Sequence, residues 1–341
     1  MAGAPTARDG EIPGEFALID RYFTRPAAAS GAGGVVAGIG DDAAVLRLPA
    51  GMDLIAAVDT LVEGRHFPAG SEPRSIGHRA LAVNLSDVAA MGATPAWATL
   101  ALTLPQADPA WLEGFSAGLF ELAQRHGVAL VGGDTTAGPL AVSVQILGFV
   151  PRGAALLRRG ARSGDLIAVT GTLGDAAAGL ALLQAPPASI GAQARELRAR
   201  FEYPSPRVEF GLAARGIATA AIDLSDGLAG DLAKFAGASA LAAHVELDRL
   251  PISAALHAYA APAQVLDWAL SGGDDYELLL AVAPERVADL AAAAAGCATP
   301  FAVIGEFGGG GGVAWTSGGR PFEPARGGFD HFARPSTQFT V

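Results

Sequence analysis

The chain has 341 residues, 51% of them hydrophobic, with 45 glycines and a net charge of −11. That length favours two domains over one core, and the apolar content excludes a disordered chain. The charge argues against nucleic acid or an anionic membrane surface as partner, because both need a cationic face, and leaves small cations as natural guests.

One cysteine, Cys297, rules out a disulfide framework and a thiolate zinc site. Lys234 stands alone beside 22 arginines. No GxxxxGK[ST] phosphate loop exists, so phosphate handling must use arginine, backbone amides or metal. The first residues, "MAGAPTARDGEIPGEF", carry acids and prolines where a signal peptide needs an apolar run, and the expected location is the cytoplasm.

Taken in order, "GEFALIDRYF" (14–23) spaces Phe16, Ile19, Tyr22 and Phe23 as one side of an amphipathic helix, and Gly31–Gly34 loosen the chain after it. "VVAGIGDDAAVLRL" predicts a strand broken by a Gly-Asp-Asp turn, and "DLIAAVDTLVEG" a strand ending in acid. A helix is expected from about Ser75 to Met91, then the strand "AWATLALTL" and a helix near Pro109 to His126. The uncharged run from Val88 to Gln106 is cut by "GATP" and stopped at Pro105, so it reads as helix end, turn and strand, not a membrane span. "VALVGGDTT" and "LAVSVQILGFV" close a first domain, 1–150.

An Arg- and Gly-rich connection, "PRGAALLRRGARSGD", opens a second domain, 151–341. Its expected elements are the strand "LIAVTG", helices at 175–184 and 206–215, the strand "ATAAIDLS", a helix at 227–236, strands in "HVELDRL" and "ALSGGDDYELLLAV", a helix at 284–295 and the strand "FAVIGEF". The fold class that follows is α/β (α+β) in two domains.

Acids gather at predicted strand ends and glycine turns: Asp41 and Asp42 in "GDD", Asp59 in "VDT", Asp134 in "GGDTT", Asp223 and Asp226 in "IDLSDG", and Asp274, Asp275 and Glu277 in "GGDDYE". Each alone also reads as a turn residue or helix cap, Asp226 before Gly227 being an example. The helix at 75–91 adds Ala80, Asn84, Asp87 and Met91 along one side, where a carboxylate is costly unless paired or cation-bound. Carboxylates without His or Cys partners favour hard cations, and Mg²⁺ above others when phosphate supplies the remaining ligands. Glycines beside the acids expose amides that a phosphate can approach.

As an ordered set, "GIGDDAAVL", "DTLVEGRHF", "LAVNLSDVAAMGATP", "LVGGDTT", "VTGTLGDAAAGLALL", "IDLSDGLAGDL" and "SGGDDYEL" resemble the signatures of the thiamine-monophosphate kinases, from about Glu15 to Phe332. These enzymes belong to a superfamily with aminoimidazole ribonucleotide synthetase. The resemblance implies the two-domain aminoimidazole ribonucleotide synthetase-like fold, a homodimer paired through the N-terminal sheet, and a C-terminal layered domain that completes the nucleotide and substrate site. It implies phosphorylation of thiamine monophosphate by ATP with several Mg²⁺ ions.

Carried over by position, the resemblance assigns Asp41, Asp59, Asp87, Asp134, Asp223 and Asp226 to metal, Gly133, Asp134, Arg158 and Ser225 to ATP, and His66, Asp274 and Phe329 to substrate. No general base is implied, since the acceptor is already a phosphate oxyanion. Ala57 and Val58 stand where relatives often have Ser or Thr and offer only backbone carbonyls. Asp274 is one methylene shorter than the usual Glu, and Phe329 lacks the hydroxyl of a Tyr found in some members. The alternatives are another ATP-dependent enzyme of the superfamily, or a noncatalytic Mg-nucleotide-binding scaffold. A selenophosphate-forming relative would call for a reactive Cys near the N-terminus, and the only Cys is at 297.

Overall fold

The computed structural model describes residues 14–25, 33–185 and 191–329. The N-terminal stretch before 14, part of the Gly31–Gly34 segment and the motif's end at Phe332 lie outside the described residues. The chain divides into two units, Met1–Ala155 and Leu156–Val341.

In the first unit, α1 (Glu15–Tyr22) leads to the short pair β1 (Val35–Ala37) and β2 (Val45–Leu46), separated by the expected Gly-Asp-Asp turn. Then come β3 (Met52–Val62), α2 (Pro73–Ala90), β4 (Thr94–Leu104), α3 (Pro109–Arg125), β5 (Ala129–Ala137) and β6 (Ala141–Pro151). The four long strands form one sheet in the order β3-β6-β4-β5, antiparallel except for the parallel pair β4–β5.

Helix α2 is buried on nearly every side, its polar Ser75, His78, Arg79, Asn84 and Ser86 included. It packs on β3, β6 and β4 and against α3. The helix crossing is tight. A Cβ on Gly77 would come 2.0 Å from the Phe115 carbonyl oxygen, and one on Gly118 would come 1.9 Å from that of Arg74. Leu81, Leu85, Phe115, Leu119 and Leu122 fill the layer between helices and sheet.

The second unit runs β7 (Leu166–Thr170), α4 (Asp175–Gln184), α5 (Ala192–Glu202), α6 (Val208–Ala214), β8 (Ala220–Asp223), α7 (Leu228–Ala238), β9 (Ala242–Glu246), α8 (Ala254–Tyr259), α9 (Pro262–Ser271), β10 (Leu278–Val282), α10 (Val287–Gly296), β11 (Phe301–Gly308), β12 (Gly312–Ser317) and β13 (Arg320–Phe322). Its seven-stranded sheet has the order β13-β12-β9-β11-β7-β10-β8, with only β12–β9 parallel. Ile167, Ile222, Leu279 and Ile304 join Leu228, Leu232 and Phe235 of α7 in the core, where Phe235 meets Phe307 edge-on at 5.4 Å.

Several sequence expectations need correction. Asp59 and Asp134 lie inside β3 and β5, not at strand ends. Phe16 is 84% exposed and does not share the buried side of α1 formed by Leu18, Tyr22 and Phe23. Helices α5, α8 and α9 and the hairpin β12–β13 were not expected at all. The α5 signal is present in hindsight as Ala194, Leu197 and Phe201, which lie at helical spacing and are its buried residues in an otherwise polar segment.

Candidate functional site

In the first unit a cleft of about 940 Å³ is lined by Phe16, Ile19 and Phe23 on one side and by Asp41, Gly133 and Asp134 on the other. Asp41 follows Gly40 (φ +107°), and its Oδ1 accepts the Asp42 N–H at 2.9 Å, which holds the turn. Gly133 is required where it stands: a Cβ there would lie 1.9 Å from the Leu100 carbonyl oxygen. Apolar walls beside carboxylates and a bare backbone suit a ligand with an apolar ring and a charged end.

Strand register relates the remaining acids of this unit. Asp59 pairs with Val144, Val144 with Leu100, and Leu100 with Gly133, so one row across the sheet joins β3 to the β5 glycine. The Asp59 N–H donates to Asn84 Oδ1 at 3.1 Å. Asn84 is fully buried and lies one helical turn before the half-buried Asp87, so α2 is pinned to β3 beside both acids. Strand β3 is a sheet edge among the described residues, and alternate backbone groups there, near Ala57 and the 62%-exposed Val58, face outward. His66 accepts the Val62 N–H on Nδ1 at 3.0 Å, which leaves Nε2 to carry the proton of the neutral ring.

In the second unit three motif segments are tied together by backbone hydrogen bonds. Glu277 C=O accepts from Leu224 N–H, Leu224 C=O from Tyr276 N–H, Ser225 C=O from Asp274 N–H, and Asp226 C=O from Phe329 N–H, all at 2.8–2.9 Å. Ser225, Asp226, Asp274 and Phe329 are thereby gathered. Asp274 and Tyr276 adopt left-handed φ values of 75° and 49°, a cost non-glycine residues bear when surroundings hold them there. Tyr276 Oη donates to Asp274 Oδ1 at 3.2 Å.

Glycines let the segments of this region approach closely. A Cβ on Gly273 would meet the Ser225 carbonyl oxygen at 2.4 Å, and one on Gly328 the Asp226 carbonyl oxygen at 2.9 Å. Asp223 ends β8 and is buried. Exposed Arg158 lies in a segment fastened beside β8, where Leu157 C=O accepts the Ala221 N–H at 3.0 Å and Ser239 Oγ accepts the Gly160 N–H at 3.1 Å.

Comparison with known proteins bears directly on these motifs. Residues 40–150 match the AIR synthase related protein N-terminal domain, and 162–316 match its C-terminal domain. The thiamine-monophosphate kinase of Escherichia coli (strain K12) is 48% identical over 324 residues, covering 94% of this chain and 99% of that protein. The chain belongs to the thiamine-monophosphate kinase family. The crystal structure of thiamine-monophosphate kinase from Stenotrophomonas maltophilia K279a superposes with a TM-score of 0.82 at 47% identity, covering 90% of this chain and 97% of that one. A structure of AaThiL complexed with AMPPCP and TMP superposes at 0.75 with 32% identity, over 86% of this chain and 92% of that one.

Within this family frame the acids of "GGDDYE" divide. Asp275 turns inward and accepts the N–H groups of Gly174 (2.7 Å) and Ala176 (3.3 Å) at the start of α4; burial pushes its carboxyl up to about 8 against those bonds and the Arg200 charge. Glu277 is fully buried and receives Thr170, Arg200 and Arg207. Burial alone pushes its carboxyl up, but the Arg207 hydrogen bonds and charge, with Arg200 and Thr170, outweigh it and hold it below the usual carboxylate range. Both acids build the loop.

Asp226 does not cap α7; its Oδ2 meets Lys234 Nζ at 2.5 Å. Asp231 Oδ2 accepts the backbone N–H groups of Ser225 (3.0 Å) and Asp226 (2.9 Å), and its Oδ1 takes Lys234 at 2.9 Å. Sequence reasoning assigned neither Asp231 nor Lys234 a role, although both lie on α7 at helical spacing from the turn. Among the described residues no three His, Cys, Asp or Glu side chains converge on one point. The donor set still fits a hard cation: the assigned side chains are all carboxylates, and at Asp226 an ammonium already stands against the carboxylate.

Proposed function

We propose that this chain transfers the γ-phosphoryl group of ATP to the phosphate of thiamine monophosphate with Mg²⁺, releasing ADP and thiamine diphosphate. The observation that carries the reading is the backbone interlock joining Ser225, Asp226, Asp274 and Phe329, because it assembles residues from three separated motifs of the family. AaThiL has been crystallised with AMPPCP and TMP, and the same pair of ligand types is assigned to this chain.

In this reading Asp41, Asp59, Asp87, Asp134, Asp223 and Asp226, with the backbone carbonyls of Ala57 and Val58, hold the metal. When bound, Mg²⁺ offsets the repulsion between two phosphate anions and aligns an in-line transfer. Gly133 and Asp134 line the first unit's cleft and are assigned to the nucleotide; in the second unit, Arg158 and Ser225 are assigned to ATP as well. His66 offers an Nε2–H to the substrate. Asp274 presents a carboxylate to the cationic thiazolium or its amino-pyrimidine, and Phe329 an aromatic face. No side chain need remove a proton, since the acceptor oxygen is already ionised.

The first unit would also pair with a second copy. The edge strand β3 and the exposure of Leu54, Val58 and Val62 along it support a homodimer, since an uncovered apolar edge otherwise invites aggregation. Among the described residues no helix is long and apolar enough to cross a membrane. With ATP and a charged phosphate ester as reactants, the cytoplasm is the proposed location.

The test is ADP release from ATP and Mg²⁺ with thiamine monophosphate, thiamine or no acceptor, with thiamine diphosphate identified by chromatography. Product that needs the monophosphate and disappears with EDTA is expected. ADP without thiamine diphosphate, or transfer to thiamine alone, overturns the assignment.

A further inference from the structure

Lys234 is the only lysine in the chain. Its ammonium lies between two carboxylates of different standing: buried Asp231, which holds the Ser225–Asp226 turn through both backbone N–H groups, and the more exposed Asp226, assigned above to metal. The four groups close a ring: turn backbone to Asp231, Asp231 to Lys234, Lys234 to the Asp226 carboxylate, and Asp226 back to the turn. The Lys234 side chain is 48% exposed and can leave one partner for water. Asp231, at 2%, cannot.

An ammonium and a divalent cation compete for the same carboxylate lone pairs. With Lys234 in place, Asp226 keeps a fixed orientation before any metal arrives. Removal of Lys234 from Asp226 need not release the turn, since the Asp231 bonds to Ser225 and Asp226 do not pass through the lysine. We propose that Lys234 is a placeholder cation, a positioning residue that holds Asp226 in the metal-free protein, yields it to Mg²⁺, and stays on Asp231 afterwards. The proposal rests on the reading of Asp226 as a metal ligand.

A single ε-amine makes the exchange measurable without turnover. The acylation rate of Lys234 by a small N-hydroxysuccinimide ester, read by peptide mass spectrometry on the full chain, is compared with Mg²⁺ plus a non-hydrolysable ATP analogue and with the analogue plus EDTA. Metal should raise the rate about threefold or more, a gain within the range expected for freeing one partner of a half-exposed ion pair. Asp226→Asn should react rapidly with or without metal. In parallel, Mn²⁺ titration followed by paramagnetic resonance should show Asp226→Asn binding one ion fewer. Lys234→Met should bind the native number, its weakest ion held about two- to fivefold tighter. If Asp226→Asn loses no ion, the ligand assignment fails and takes the proposal with it. If it does lose one, yet Lys234 reactivity ignores metal and Lys234→Met binds Mn²⁺ with native affinity, Lys234 is a surface ion pair only and the proposal alone falls.

Discussion

Glu277→Gln tests whether the buried charge cluster holds the "GGDDYE" loop. The two Glu277 oxygens collect four donors: Thr170 Oγ1 at 2.7 Å and Arg207 Nε at 2.6 Å on Oε2, and Arg207 Nη2 at 2.5 Å and Arg200 Nη2 at 2.7 Å on Oε1. Glutamine keeps the shape but only one acceptor oxygen, and its amide nitrogen would face two donors. Two charge-assisted bonds are lost, at about 1.5–3 kcal/mol each, and two guanidinium groups lose their main counter-ion. The total, about 3–6 kcal/mol, overlaps the roughly 3–5 kcal/mol usual for breaking a buried pair by removing one partner. It is a large part of a domain's stability of about 5–15 kcal/mol.

The assay is urea unfolding at pH 7 with hydrogen exchange of the β10 amides, since Leu278 N–H bonds to the same Thr170 hydroxyl at 2.8 Å. A double-mutant cycle with Arg207→Met isolates the pair. The folded carboxyl titrates below its unfolded value, so its contribution is present above the unfolded pKa and is lost as pH falls through the folded one. Native and variant stabilities should therefore converge in acid. A loss under about 1 kcal/mol at pH 7, or a gap that persists undiminished in acid, would refute the reasoning.

The neighbouring acid should behave in the opposite sense. Asp275, raised to about 8 by burial, contributes stability that is full below its unfolded pKa and lost as pH rises through 8, so the native chain should lose ground to Asp275→Asn between pH 5 and pH 9 in thermal melts. Asp87→Asn and Asp223→Asn should retain native circular dichroism while kcat falls about 100-fold or more, since even outer-shell partners of metals cost 10–100-fold; near-native turnover in both would remove the metal reading. Asp274→Asn, chosen because Asn tolerates the left-handed backbone there, should raise the KM for thiamine monophosphate about tenfold with the KM for ATP unchanged.

Much of the first unit was legible because its signals are local. The Gly-Asp-Asp turn and the alternating or continuous apolar strands each announce themselves within a dozen residues. Helices α8 and α9 fall in "ISAALHAYAAPAQVLDWALS" (252–271), an apolar stretch interrupted by Pro262. The structure uses that proline to start α9 and Ser253 Oγ to cap α8, through a 3.0 Å bond from the Leu256 N–H. The hairpin β12–β13 was hidden by its glycines, which reduce the strand signal to six and three residues.

Local spacing finds the acids of this chain but not what each one meets. Asp274, Asp275 and Glu277 look alike in sequence, yet the donors that separate them come from far along the chain: Gly174 is 101 residues from Asp275, and Arg200 is 77 from Glu277. A carboxylate whose lone pairs are taken by buried guanidinium or amide groups has nothing left for a cation, and removing it from those donors would cost more than a metal bond at that position returns. Asp41 and Asp134, exposed at the rim of the first unit's cleft, carry no such burden, and Asp226 meets only a lysine that water can accept. On the proposed reading, what suits an acid of this chain to metal is the exchangeability of its present partner, a property that local spacing does not encode.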